Sequence, residues 1–423
     1  MKLTTLLKRS ITLMVMMFFL TAVSTADEVR YSDSWAGQGF NLVQSEKAGV
    51  NVIHSVNNFS FNTMDINGEA MTVINMPGVL LPNDEGAPNL PGSGRYIAIP
   101  AGATASLNIK SMRTETFSNI EMAPAPVIPF EDDPSPLHYE KNMEIYGQNA
   151  FYPAEPVKLS EPMKIRGVDV VMLGITPFQY NPVTGELIVI RDIDVEVVFE
   201  GGSDEFGEKR YRSRWWDRIL ADAVMNYDAL PVIDYNWMHQ DHEFTDGCEY
   251  LIITPDGSDF VDKANEIAEF RNKQGILSQV VTLSDVGGNS TYAIENYVND
   301  AYNNWAIPPA AVLLLGDFGY SITNSVIAPI YDNYCASDNI YADVDGDHLP
   351  EMIFARITAN DADQLDVMVS KFINHETNPP TNPDFYNNPI TAVGWQTERW
   401  FQLCGEVVGG YWKHSRGKEP VRI

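Results

Sequence analysis

Apolar residues in this chain follow two different periods, and the change from one to the other dictates where the chain divides. Between Asp27 and Glu200 they alternate with polar neighbours, as in Ala105, Leu107 and Ile109, or in Ile193, Val195, Val197 and Phe199 set against Asp192, Asp194 and Glu196. A period of two puts one set of side chains on a single face of a strand. Ahead of the second example, Asn181-Pro182-Val183-Thr184-Gly185 is turn chemistry, because proline presets φ and glycine accepts a positive φ without a Cβ clash. A β-rich domain of antiparallel character is expected over this half.

From Cys248 onward the pattern becomes strand, helix, strand. Tyr250 to Thr254 reads as a buried strand, followed by a helix opened by Ser258 that carries Val261, Ala264, Ile267 and Ala268 on one face and stops near Gly275. Ser278 to Leu283 is the next strand, and Ile294, Tyr297, Val298, Ala301 and Trp305 line a second helix. Ala310 to Leu315 then runs into Gly316-Asp317, and a third helix after Asn360 buries Leu365, Met368, Val369 and Phe372. Strand Ile390 to Trp395 and helix Arg399 to Tyr411 close the series, with Cys404 expected to be buried on that helix. Strands separated by helices predict a mostly parallel sheet covered on both faces, with functional groups at the carboxyl ends of its strands.

Between the halves lies the dense basic cluster of an otherwise acidic chain: Lys209, Arg210, Arg212, Arg214 and Arg218. This segment reads as a connector with a short helix, its basic residues exposed either to a trypsin-like activity or simply to solvent. At the other extreme, Lys2, Lys8 and Arg9, the apolar run Ile11 to Ala22, and Ser24 with Ala26 read as a removable export signal. The chain carries 28 Lys plus Arg against 57 Asp plus Glu, a net charge of -29. That balance argues against nucleic acid and against an anionic membrane surface once the signal is removed, and it favours a divalent cation as a ligand. Three cysteines are too few for a disulfide scaffold.

Candidate chemistry is sparse. Asp317-Phe318-Gly319 lacks the accompanying phosphate loop and catalytic loop of a kinase and reads as a strand end and turn. Pro255-Asp256-Gly257-Ser258 lacks the spaced glycines of a dinucleotide site. Asp343, Asp345, Asp347 and Glu351 form the densest acidic loop, and carboxylates at alternate positions converge on one hard cation, calcium being the natural choice, if Gly346 lets the chain fold back. Glycine at the fourth place and Glu at the ninth exclude an EF-hand, and a solvated turn is the competing reading. His239 and His242 beside Asp241 and Glu243 make at most half a transition-metal site and fit a linker better. Cys335, in Tyr334-Cys335-Ala336-Ser337-Asp338, is the thiol placed most like a nucleophile, but no histidine can be assigned to it.

Several segments carry a resemblance. These are the Gly316-Asp317 strand end, Ser337-Asp338-Asn339-Ile340-Tyr341, Asp345-Gly346-Asp347 leading into Pro350-Glu351-Met352-Ile353-Phe354-Ala355-Arg356, and the step Trp395-Gln396-Thr397-Glu398-Arg399-Trp400. In their order and spacing they resemble the front of the catalytic domain of the gingipain family of secreted cysteine endopeptidases. Leu90-Pro91, Tyr96-Ile97-Ala98-Ile99-Pro100 and Thr184-Gly185-Glu186-Leu187 resemble the propeptide that precedes it.

The resemblance implies a caspase-like fold for the second half and hydrolysis of peptide bonds by a Cys nucleophile paired with a His in a Gly-His context. Neither group is matched: only His414 follows Tyr411, with Ser415-Arg416-Gly417 after it and no glycine before it. The expectation is therefore an incomplete catalytic domain, inactive as it stands, with the dyad beyond Ile423. Glu398 is the position that matches an acidic group supporting the catalytic His, and it could equally cap the following helix. Ala355 stands where the family usually has glycine.

The expected organisation is a signal at 1–26, a propeptide domain at 27–205, a linker at 206–247 and the front of a peptidase domain at 248–423. Processing is expected within Lys209 to Arg218 or near Gly247. Partners would be protein or peptide substrates and the propeptide packed on the catalytic domain, with no cofactor required beyond a structural calcium. The competing reading is a secreted binding or inhibitory module without chemistry.

Overall fold

The computed structural model describes residues 27–76, 84–126, 138–233, 247–331, 335–392 and 399–422. The export signal, His239 to Glu243, and Trp395 to Glu398 lie outside the described residues.

Among the described residues, three antiparallel sheets build the first half. Strand Glu186–Gly201 organises the largest, pairing with Gly49–Ser55 on one side and with Ala103–Phe117 on the other. Its odd-numbered residues Leu187, Val189, Ile193, Val195 and Val197 are fully buried, as the alternation predicts. The register against Ala103–Phe117 shifts between Ile190 and Asp192, a bulge beside which Asp192 is fully buried as well. The Asn181 to Gly185 turn joins Phe178–Asn181 to this strand, with Asn181 Oδ1 accepting the Val183 and Thr184 N–H groups and Gly185 at φ +66°. A second sheet is centred on Val168–Ile175, which pairs with Ser93–Ala98, Val157–Leu159 and Met163–Ile165. The turn from Met163–Ile165 into Val168–Ile175 is Arg166-Gly167, both with positive φ.

The second half contains a four-stranded parallel sheet in the spatial order Ser278–Thr282, Tyr250–Thr254, Ala311–Leu315, Ile353–Ile357. Leu251, Ile253, Val312 and Leu314 pack on one face with Ile294 and Val298 of the Thr291–Asn304 helix. Ile252, Leu313 and Leu315 pack on the other with Phe260, Ala264 and Ile267 of the Ser258–Lys273 helix and with Leu365 and Val369 of the Ala362–Thr377 helix. Each such side chain contributes roughly 1.5–3 kcal/mol of transfer free energy, so a sheet covered on both faces is the stable arrangement for strands this apolar. An antiparallel β domain thus precedes a caspase-like α/β domain, and the parallel sheet among the described residues is incomplete relative to that fold. The Arg399–Gly410 helix forms as expected, but Cys404 is exposed on it rather than buried.

The connector corrects a second expectation. Its helix, Trp216–Ala223, exists, and Lys209 and Arg218 are exposed as expected, but Arg210, Arg212 and Arg214 are taken up by internal contacts. Arg212 is buried, pairs with Asp217 through both ends of its guanidinium and donates to the Pro231 carbonyl. Arg210 donates to the Asn303 and Trp305 carbonyls, and the Tyr211 ring stacks on Tyr302 with centroids 4.5 Å apart. On the β side, Asn226 exchanges two hydrogen bonds with the Ala98 backbone. Trp216, Leu220, Val224 and Leu230 share one apolar core with the β domain and with Ala310 of the α/β domain.

Candidate functional site

The acidic loop lies between the one-turn helix Asn339–Ala342 and strand Ile353–Ile357. Asp343 folds it back on itself: Oδ1 accepts the Gly346 N–H at 2.7 Å and Oδ2 the His348 N–H at 3.1 Å. Both donors have positive φ, +81° and +72°, and the glycine makes the first of these inexpensive. Glu351 then turns inward. Its side chain is 1 % exposed, Oε2 accepts the Val344 N–H at 2.9 Å, and Oε1 has no partner among the described residues.

Oxygens of Asp343, Asp345 and Glu351 lie within 4.8 Å of one another. Two ligands each about 2.3–2.6 Å from a calcium ion can be no farther apart than roughly that span, so the trio fits a hard cation. Asp347 sits outside the trio; its oxygens accept the Leu349 N–H at 2.8 Å and the Lys164 N–H at 2.6 Å. Burial, reinforced by the neighbouring aspartates and opposed by the Val344 N–H, pushes the Glu351 carboxyl up to about 8. A buried carboxyl with an orphaned oxygen beside two more carboxylates is a poor anion on its own and a good ligand with a cation present.

The β domain reaches this loop from outside. Arg166, at the tip of the Met163–Ile165 to Val168–Ile175 hairpin, is fully buried. It donates through Nε to the Tyr211 carbonyl at 2.7 Å and through its terminal nitrogens to the carbonyls of Pro308 at 3.1 Å, Pro309 at 2.6 Å and Glu351 at 3.0 Å. The Tyr302 and Trp216 rings flank the guanidinium at 5.3 and 6.0 Å. Burial lowers the group to about 10, so it remains charged at neutral pH. Sequence reading missed Arg166 entirely, because an Arg-Gly turn between short strands signals only an exposed hairpin.

At the carboxyl ends of the parallel strands, Arg356 makes a bidentate pair with Asp338 at 2.7 and 2.8 Å and donates to the Gly316 and Val326 carbonyls. Three of the segments that carry the family resemblance therefore meet at one side chain. Cys335 is half-buried, opposite Tyr331 in a short antiparallel ladder, and Cys248 is buried with its thiol pushed up by desolvation. Among the described residues no cysteine is hydrogen-bonded to a histidine. Glu398 lies outside the described residues.

Comparison with known proteins agrees with this division. Residues 36–231 match the C25 propeptide family and residues 245–412 match peptidase family C25. Lys-gingipain HG66 of Porphyromonas gingivalis is 23% identical over 383 residues, covering 86% of this chain and 22% of that protein. Gingipain R2 of the same organism is 25% identical over 351 residues, covering 80% of this chain and 45% of that protein. The chain thus spans between a fifth and a half of the length of these relatives. A solved complex of the pro- and mature domains of RgpB from Porphyromonas gingivalis aligns with a TM-score of 0.41 at 22% identity, over 46% of this chain and all of that one. A solved structure addressing zymogenic latency of gingipain K from that organism aligns with a TM-score of 0.35 at 22% identity, over 41% of this chain and 98% of that one.

Proposed function

The chain belongs to peptidase family C25, its two halves matching that family's propeptide and peptidase regions, and on that premise we propose that it is precursor sequence of a secreted cysteine endopeptidase held latent by its own β domain. The observation that carries the reading is Arg166, a charged side chain that leaves one domain and is completely buried in the other. Breaking such a contact leaves buried carbonyls without donors at about 1–3 kcal/mol each, which suits a cover that must stay closed until export is complete.

In this reading residues 1–26 direct export, 27–205 form the propeptide, 206–247 link it, and 248–423 begin the catalytic domain. The nucleophilic Cys and its His come from sequence following Ile423. There the thiolate attacks the scissile carbonyl, the imidazolium protonates the leaving amine, and backbone N–H groups hold the oxyanion. Glu398 is assigned to support that His. Asp343, Asp345 and Glu351 hold a structural calcium, with Asp347 as the fourth acidic group of the loop. The ion supplies positive charge that fixes the loop in one conformation and takes no part in bond cleavage. The residues themselves position the Ile353–Ile357 strand and, through Arg356, the carboxyl ends where the substrate would lie.

The test is hydrolysis of a protein substrate such as casein by two purified products, one ending at Ile423 and one continuing through the natural reading frame. The first should be inert and the second active after removal of the β domain. Activity of the shorter product that disappears in Cys335→Ala would show the nucleophile to be Cys335 and overturn the assignment.

A further inference from the structure

The acidic loop and the Arg166 hairpin share one piece of backbone. We propose that a divalent cation held by Asp343, Asp345 and Glu351 tightens the grip of the β-domain hairpin on the α/β domain, and that the docked hairpin raises the affinity for the cation in return. The inference rests on the cation reading above and adds to it a regulatory link between metal and latency.

Three observations carry it. First, the two partners use different atoms. The candidate ligands are side-chain oxygens of Asp343, Asp345 and Glu351, whereas the hairpin takes Asp347 Oδ2 through the Lys164 N–H and the Glu351 backbone carbonyl through Arg166. Neither excludes the other. Second, the hairpin does not neutralise the cluster. The hairpin meets Asp347 through the Lys164 backbone N–H, while the Lys164 ammonium pairs with Asp169 of its own domain at 3.6 Å and the Arg166 guanidinium meets a backbone carbonyl rather than a carboxylate. The carboxyl groups of Asp343, Asp345 and Glu351 are therefore left to the ion with the hairpin in place. Third, both partners require the same conformation of residues 343–351. Glu351 gives a carboxylate oxygen to the cluster, its buried Oε1 has no partner among the described residues, and its own backbone carbonyl lies under the guanidinium. Whichever partner binds first orders the loop for the second, and the coupling is reciprocal.

Calorimetric titration with calcium chloride of the full chain, purified after export, tests the proposal against Arg166→Met and Asp345→Asn. Wild type should bind, Asp345→Asn should lose the heat, and Arg166→Met should bind at least about fivefold more weakly. Equal affinity in wild type and Arg166→Met overturns the coupling while leaving the cation reading intact; no binding heat in wild type removes the cation reading and the proposal with it. Hydrogen exchange in the wild type provides a readout that does not depend on a folded variant. Amides of residues 163–170 should exchange more slowly with saturating calcium than with chelator, and exchange that is unchanged under calcium binding overturns the proposal.

Discussion

The two domains handle buried charge in opposite ways. In the β domain, Asp192 is fully buried, yet its carboxylate is answered from within by the Trp35 N–H, the Ser55 hydroxyl and the Arg113 guanidinium. In the α/β domain, the loop from Asp343 to Glu351 gathers four carboxyl groups, and the β domain reaches it through the Lys164 backbone N–H and the Arg166 guanidinium. Asp192 is answered within its own domain, whereas the acidic loop is met from the other one. A cover domain has to fold before it can restrain anything, whereas the unit it restrains benefits from being unfinished without it.

The largest expected effect breaks the contact on which this contrast depends. Arg166→Met leaves the carbonyls of Tyr211, Pro308, Pro309 and Glu351 without this donor and should cost about 1–3 kcal/mol for each one left unsatisfied. Urea unfolding should change from one transition to two, since the lost contact lies between domains; a single unshifted transition would show that Arg166 is not the lock.

Next in size is an effect confined to the β domain. His54 is fully buried with neither ring nitrogen partnered, pairs across strands with Phe40 and Ile193, and stands edge-on to the Phe40 ring. Burial lowers it from 6.5 to about 4, with Asp192 opposing. A depressed histidine favours the folded state above the unfolded value and loses that advantage as the pH falls towards the folded one. The window therefore runs from about pH 6.5 down to about 4, and the full loss is about 3 kcal/mol. His54→Leu should flatten this part of the stability profile, measured as the urea midpoint of unfolding against pH.

A smaller effect belongs to the α/β domain alone. Asp361 caps the Ala362–Thr377 helix by accepting the Gln364 N–H at 2.9 Å, so Asp361→Ala should lower thermal stability by about 1 kcal/mol without altering the His54 window. The mildest probe is thiol labelling of the native protein. Cys404 should react at once, Cys335 slowly, and Cys248 only on unfolding.

The sequence made some of this legible and hid the rest for identifiable reasons. Tyr250–Thr254 and the Ser258–Lys273 helix were readable because burial on one or both faces writes a local period into neighbouring residues. The acidic loop was readable because its acidic residues and Gly346 are adjacent in the chain. Arg210 and Arg212 were misread as exposed because the carbonyls and rings that receive them are set by tertiary packing, and a carbonyl has no sequence signature. Arg166 was invisible for the same reason, its partners lying up to 185 positions away. Cys404 was placed on the wrong side because an amphipathic pattern identifies a face but not what comes to cover it.

The connector holds one further consequence. Arg210, Tyr211 and Trp216, which grip the α/β domain, all precede Pro231, so scission of any later bond in the linker leaves every one of these handles on the departing fragment. Hydrolysis would then nick the precursor without freeing it. The lifetime of the inert state would be set by the off-rate of two already separate polypeptides, a quantity that acid or chelation can change after the cutting enzyme has finished.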